Sequence, residues 1–256
     1  MKLIKAHATN YRNIIDSNEV AIGQSTCLVG KNEAGKSAFL KALEGLRSTN
    51  PAFKQYGKVE NYPRRHLADY GARHPNEEAK VISTVWEIEI ADIAAVEAEL
   101  GKGILTEDTL SIYKTYEQDG TTWARPIAEG KALENLIQRF ALGQEECACI
   151  SAAKTTQKAA KALQALETRT PGQESLLVAI GKFRNNSAHL RASDILSART
   201  PKFMYFSHYD RMSGELSINK LNADKQSNVP IESGDRVFLD FLEYAGTTLD
   251  DLISTT

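Results

Sequence analysis

The segment Gly30-Lys31-Asn32-Glu33-Ala34-Gly35-Lys36-Ser37 constrains this chain more than any other, because it satisfies the P-loop pattern G-x-x-x-x-G-K-[ST] in full. Glycines at positions 30 and 35 permit a backbone curl in which successive N–H groups converge on phosphate oxygens. Lys36 supplies a positive charge for the β- and γ-phosphates, and the Ser37 hydroxyl is suited to Mg²⁺. The flanks fit as well. Ser25-Thr26-Cys27-Leu28-Val29 is short and β-rich, and predicts a strand entering the loop. Phe39, Ala42, Leu43 and Leu46 recur at i, i+3, i+4 and i+7, and predict an amphipathic helix leaving it. Such a helix directs the positive end of its dipole at a triphosphate. The expected ligand is a nucleoside triphosphate with Mg²⁺.

Composition narrows the rest. With 256 residues there is room for one large α/β domain or two small ones. A net charge of −2 supplies no global basic field for nucleic acid, though a local patch remains open. Cys27, Cys147 and Cys149 make no disulfide framework, and a single C-x-C without a nearby histidine reads better as small buried side chains than as a zinc site. Met1 to His7 lacks the apolar core of a signal peptide, and no run reaches the length of a membrane span. A cytoplasmic setting with no membrane partner is expected.

In chain order, residues 2–10 alternate as a strand, and Glu19 to Ile22 predict a second strand running on towards the loop. Tyr11 and Arg12 then fall on a turn, either reaching the nucleotide or solvated. Residues 49–80, with Pro51, Pro63 and Pro75, read as a long surface loop with short helical pieces. Ile82, Thr84, Trp86, Ile88 and Ile90 share one face of a half-buried strand, followed by a short helix over Ile93 to Leu100. Leu110–Tyr116 and Thr121–Ala124 flank Asp119-Gly120, a hairpin signal. Leu133, Leu136, Ile137 and Phe140 mark a helical face, and residues 151–200 a helical region broken at Pro171-Gly172. Lys202 to Phe206 predicts a returning strand, Glu215 to Lys220 a further strand after a turn at Gly214, and Phe238 to Ala245 a last helix ending at Gly246. The implied division is a nucleotide-binding lobe over 1–142 and a helical subdomain over 143–200. Residues 201–256 follow as returning strand, hairpin and closing helix.

Lys31 to Ser37 with Leu40-Lys41-Ala42-Leu43 resembles the P-loop of SMC-, RecF- and OLD-type ATPases, the ABC-like branch of P-loop proteins, and Tyr11-Arg12-Asn13 resembles the aromatic–Arg step closing its first strand. Tyr62 to Tyr70 and Pro201 to Phe206 look narrower, like prokaryotic OLD-like, Septu- or Gabija-type anti-phage defence ATPases. The resemblance implies an α/β P-loop NTPase of the ABC/SMC-head type, a mixed sheet around the P-loop helix with an inserted helical subdomain. It implies ATP and Mg²⁺ as ligands and a second head as partner, each head completing the other's site. It also implies a controlled effector nuclease of TOPRIM or HNH type, fused or separate, with DNA as a further partner.

Gly30, Asn32, Glu33, Ala34, Gly35, Lys36, Ser37 and Ala38 then become phosphate contacts, with Ser37 on the metal and Arg12 as a further phosphate contact. His208 and Asp210 occupy the place of the branch's Q-loop and can act on metal or water, or simply form a turn. Met212-Ser213-Gly214-Glu215 echoes the branch's signature, but Leu216-Ser217-Ile218 alternates where a helix should open. Val237-Phe238-Leu239-Asp240 echoes a Walker B strand, yet no Glu follows and its neighbours have helical period. Asn219 to Asn222 lacks the guanine-reading Asp of GTPases, and D-x-x-G is absent. Lys154 to Lys161 is a solvated helix face or a contact for DNA or a partner.

Overall fold

The computed structural model describes residues 1–50, 53–124, 127–206, 216–227 and 229–254. Its framework is a six-stranded sheet built from β1 (Lys2–Tyr11), β2 (Ile14–Asp16), β3 (Val20–Ala21), β4 (Lys80–Glu87), β5 (Thr109–Thr115) and β6 (Thr122–Ala124). Strand order is β2-β1-β4-β5-β6, with β3 also on β1. Among the described residues every ladder is antiparallel, where a mixed sheet was expected; parallel pairing there occurs only in the single bridges Ser48↔Phe203 and Tyr56↔Tyr116.

Alternation explains which face is covered. Ala6 and Ala8 of β1 are buried while Lys5 and His7 point the other way. Two alanines leave room for α1 (Lys36–Glu44) to lie close across β1 and β4 through Phe39 and Ala42. On β4, Ile82, Thr84 and Trp86 are buried as predicted, with Ile88 just beyond the strand; Ile90 is exposed because it opens α4 (Ile90–Leu100) instead of ending the strand. The Thr84 hydroxyl donates to the Ile112 carbonyl and accepts from Trp86 Nε1, so the buried polar groups are satisfied.

Residues 49–80 differ from the surface loop read in sequence. They carry α2 (Lys58–Asn61) and α3 (Tyr70–Arg73), but Tyr56 and Tyr62 are fully buried. Tyr56 meets Tyr11, Phe53 and Tyr116 edge-on, and its hydroxyl donates to the Ala42 carbonyl at 2.5 Å. The segment is an aromatic plug beneath α1, held by rings without helical or strand period.

A helical layer follows: α5 (Glu129–Arg139), α6 (Gln144–Cys147), α7 (Thr156–Gln164), α8 (Pro171–Gly181) and α9 (Ala188–Arg199). Caps set the starts. Thr155, Thr170 and Ser187 each accept from the amide three residues on, and Pro171 occupies the first turn of α8, so the expected break is a helix start. α9 packs on α4 and α5, and α7 on α5 and α8, in one continuous core with the sheet. On α7, Ala159, Ala160 and Leu163 face inward while Lys158 and Lys161 are exposed. Cys147 and Cys149, read as small buried side chains, are half-buried and pack against this core, while Cys27 is exposed.

The C-terminal region departs most from the sequence. Phe203 makes one bridge to Ser48 rather than a returning strand. Residues expected as a strand beyond Gly214 instead enter a helix, α10 (Ile218–Gln226), capped by the Ser217 hydroxyl. α11 (Ser233–Ala245) ends at Gly246, whose φ is 71°, and α12 (Leu249–Ser254) follows. Leu221, Leu242 and Leu249 form a small separate core for these three helices. Among the described residues no helix is long and apolar enough to cross a membrane.

Candidate functional site

The 30–38 loop is shaped by two left-handed residues. Glu33 has φ 68° and Gly35 φ 91°. The Ala34 amide donates to the Lys31 carbonyl at 3.2 Å, closing a turn with Glu33 at its third position. A glutamate seldom adopts this conformation, and it is held here from outside: the Asn13 side-chain amide donates to the Glu33 carbonyl at 2.5 Å. Gly35 then begins α1 with no side-chain cap, and the first intrahelical bond runs from the Phe39 amide to the Gly35 carbonyl at 2.8 Å. The amides of Lys36, Ser37 and Ala38 therefore have no helical acceptor, and no acidic residue stands in the first turn. Three donors at a positive helix end suit an anion.

Lys36 curls over the loop and its Nζ donates to the carbonyls of Gly30 and Lys31 at 2.6 and 2.7 Å. An ammonium has three N–H bonds, so one remains available beside the free amides. Ser37 is exposed on the first turn. Its hydroxyl is a fitting single protein ligand for Mg²⁺, which prefers phosphate oxygens and water for the rest of its shell.

Gly35 cannot be replaced cheaply. A Cβ there would lie 2.9 Å from Ile14 Cγ1, in a backbone conformation that side chains rarely adopt. Gly35→Ala is expected to cost about 1–3 kcal/mol, seen as a lower urea midpoint, and to weaken nucleotide binding with it. A midpoint unchanged from the parent would refute the close approach of Ile14.

The predicted site residues do not all converge. Gly30, Asn32, Glu33, Ala34, Gly35, Lys36, Ser37 and Ala38 form the loop and first turn as read. Arg12 is exposed with φ 53°; its amide donates to the Asn61 carbonyl, and its guanidinium lies 5.4 Å from the Tyr11 ring, itself buried. The residues of this turn that touch the loop are the next two, Asn13 and Ile14, which sequence reading passed over. His208 and Asp210 lie outside the described residues, as does Met212 to Glu215. Beyond it, where the alternation of Leu216-Ser217-Ile218 predicts a strand, a helix begins at Ile218 and ends at Gln226, ahead of Pro230.

Asp240 is excluded as a Walker B residue. It sits on α11, and Thr49 donates to it, beyond the C-terminal end of α1. Burial and then the Glu243 charge push its carboxyl up. A nine-residue helix spans about 13 Å, so Asp240 neighbours the end opposite Lys36.

The strand expected before the loop is also missing. Ser25 to Val29 belongs to no ladder, and Val29 is 90% exposed. A β-rich run becomes a strand only where another strand meets its N–H and C=O groups, and none of the described segments does so. Beside it a cleft of about 540 Å³ is lined by Ile14, Val20, Leu28, Gly35, Lys36 and Phe39.

A family model described as an AAA ATPase domain matches residues 1–228. No match is found among curated proteins or among solved structures. A full P-loop, an uncapped helix start behind it and a family match over most of the chain lead to one assignment: this protein belongs to the AAA ATPase domain family.

Proposed function

We propose that the chain is the ATP-binding head of an ABC-type, SMC/RecF/OLD-like ATPase. Gly30, Asn32, Glu33, Ala34, Gly35, Lys36, Ser37 and Ala38 hold the triphosphate, mainly through backbone amides and the Lys36 charge, and Ser37 holds Mg²⁺. The observation that carries this reading is the uncapped turn Lys36–Ala38 behind a left-handed glycine, with Lys36 laid across the loop carbonyls. Bound Mg²⁺ would neutralise charge developing on the γ-phosphoryl group. Arg12, His208 and Asp210 keep their proposed supporting roles at phosphate, metal or water.

Two heads close around ATP and control an effector nuclease of TOPRIM or HNH type in anti-phage defence. What supports this finer reading is the likeness of Tyr62 to Tyr70 and of Pro201 to Phe206. The isolated chain is expected to bind ATP and turn it over slowly, because Asp240 stands at the wrong end of α1. Light scattering with size exclusion should show the mass doubling on addition of Mg·ATP. An unchanged mass at saturating nucleotide, or fast turnover by the isolated chain, would count against the head reading.

One observation favours a second reading, a DNA-clamping head. Arg64, Arg65 and Arg73 are exposed together, and burial with the charges of Arg73 and Arg65 holds His66 below its ordinary value. Duplex DNA binding with a steep salt slope, weakened by Arg64→Ala and Arg65→Ala, would favour it over nuclease control.

A further inference from the structure

Between the C-terminal end of α1, the β5–β6 loop and the end of α9 lies a cavity of about 230 Å³. Two cations that the nucleotide site does not use line it. Lys114, 4% exposed, donates to the carbonyls of Lys54 at 2.9 Å and Gly45 at 3.3 Å, with its Nζ 5.0 Å from the Phe53 ring and 5.6 Å from that of Tyr56. Arg47 is half-buried, and its Nη1 donates to the Ser197 carbonyl. Neither belongs to an ion pair among the described residues.

Buried charges ordinarily sit beside a counter-charge, because leaving water costs several kcal/mol that carbonyl dipoles and rings only partly offset. Burial lowers the basicity of both groups accordingly. The carboxylate in the lining is Asp119, which is exposed and supports Lys114 only through space. Two positive charges therefore face one negative charge.

We propose that this cavity binds a small anion, bearing a phosphate or carboxylate group, held between the Lys114 ammonium and the Arg47 guanidinium. Donors remain for it. Lys114 has committed two of three N–H bonds, and Arg47 one of five. The Thr121 hydroxyl, which accepts from Trp123 Nε1, keeps its own hydrogen to give. One anionic group brings the lining to balance. The site sits at the far end of α1 from the P-loop, and it stands whether or not the loop binds ATP. Because Gly45 caps α1 and its carbonyl accepts from Lys114, an anion on Lys114 would share that ammonium with the end of the P-loop helix.

The test uses the full 256-residue chain carrying Lys36→Ala, which removes the P-loop lysine from competition. Inorganic phosphate and succinate are titrated separately in a calorimeter, with ionic strength held constant by chloride. Saturable one-site binding of one probe is expected, phosphate assigning a phosphoryl ligand and succinate a carboxylate. Adding Arg47→Gln should weaken it about tenfold, the worth of one charge-assisted hydrogen bond. Asp119→Asn, on an exposed loop where folding is not at risk, should tighten it by removing the opposing charge. A purely structural role for Lys114 predicts no such gain. No saturable heat with either probe, or affinity indifferent to both substitutions, would overturn the proposal.

Discussion

Lys36→Ala is expected to weaken ATP binding about a hundredfold or more, read as the dissociation constant of a fluorescent ATP analogue. Two losses combine. The direct one is the charge and remaining N–H that Lys36 offers the phosphates; charge-assisted bonds of this kind are worth about 1.5–3 kcal/mol each. The indirect one is the brace. Bonds of 2.6 and 2.7 Å to Gly30 and Lys31 hold the loop carbonyls turned towards Lys36, leaving the amides of the loop and first turn to point at the ligand. Hydrogen exchange separates the two. If bracing dominates, amides of residues 31–35 should exchange faster in the variant even without nucleotide. If the direct contact dominates, they should not, while ATP loses more affinity than adenosine. Equal ATP affinity in parent and variant would remove the lysine from the site altogether.

The glycine, lysine and following helix of the P-loop were legible because what defines them is local. Gly35 must adopt a positive φ, Lys36 must follow it, and Phe39, Ala42 and Leu46 face the core at helical spacing whatever the rest of the chain does. The same locality explains Ile82, Thr84 and Trp86 on β4, and the stop at Gly246. Segments whose structure depends on a distant partner were misread. Ser25 to Val29 and Lys202 to Phe206 have strand composition, yet strandness belongs to a pair and neither segment has a ladder among the described residues. The hairpin read around Asp119-Gly120 does form, β5 pairing with β6, but the register ends at Tyr113↔Thr122 and the positive φ in the connection falls on Glu117 rather than on the Asp-Gly pair. At Leu216 to Ile218, apolar alternation masked an ordinary helix signal: Ser217 caps the Lys220 amide, and Leu221 is buried by Leu242 and Leu249 from α11 and α12. Within the site, Asn13 was missed because a side chain bonded to a carbonyl twenty residues on leaves no periodic trace.

Asp92→Ala is expected to cost about 3–4 kcal/mol of stability, more than any surface substitution, because one buried carboxylate ties three elements together. The side chain is 1% exposed. It accepts from Arg199 Nε at the end of α9 at 2.6 Å and from the Glu89 amide at 3.0 Å, closing the capping box of α4. The Met1 ammonium, at the start of β1, lies 2.7 Å away. Its removal leaves a half-exposed guanidinium, an ammonium and a helix amide to find water for themselves. Burial is the largest single influence on this carboxyl and pushes it up, but bonds from the Met1 ammonium, Arg199 and the Glu89 amide together hold it below its ordinary value. The sign of the pH effect follows. A group easier to ionise in the folded chain contributes its full stability above the unfolded value of about 3.9, and loses it as pH falls through the folded one. Asp92→Asn preserves shape without the charge, so the stability gap between parent and Asp92→Asn should be constant near neutrality and close as acid is added below about pH 4. Urea midpoints measured across that range decide it: a gap that persists undiminished in acid would mean that the carboxylate's charge does not hold α4, α9 and β1 together.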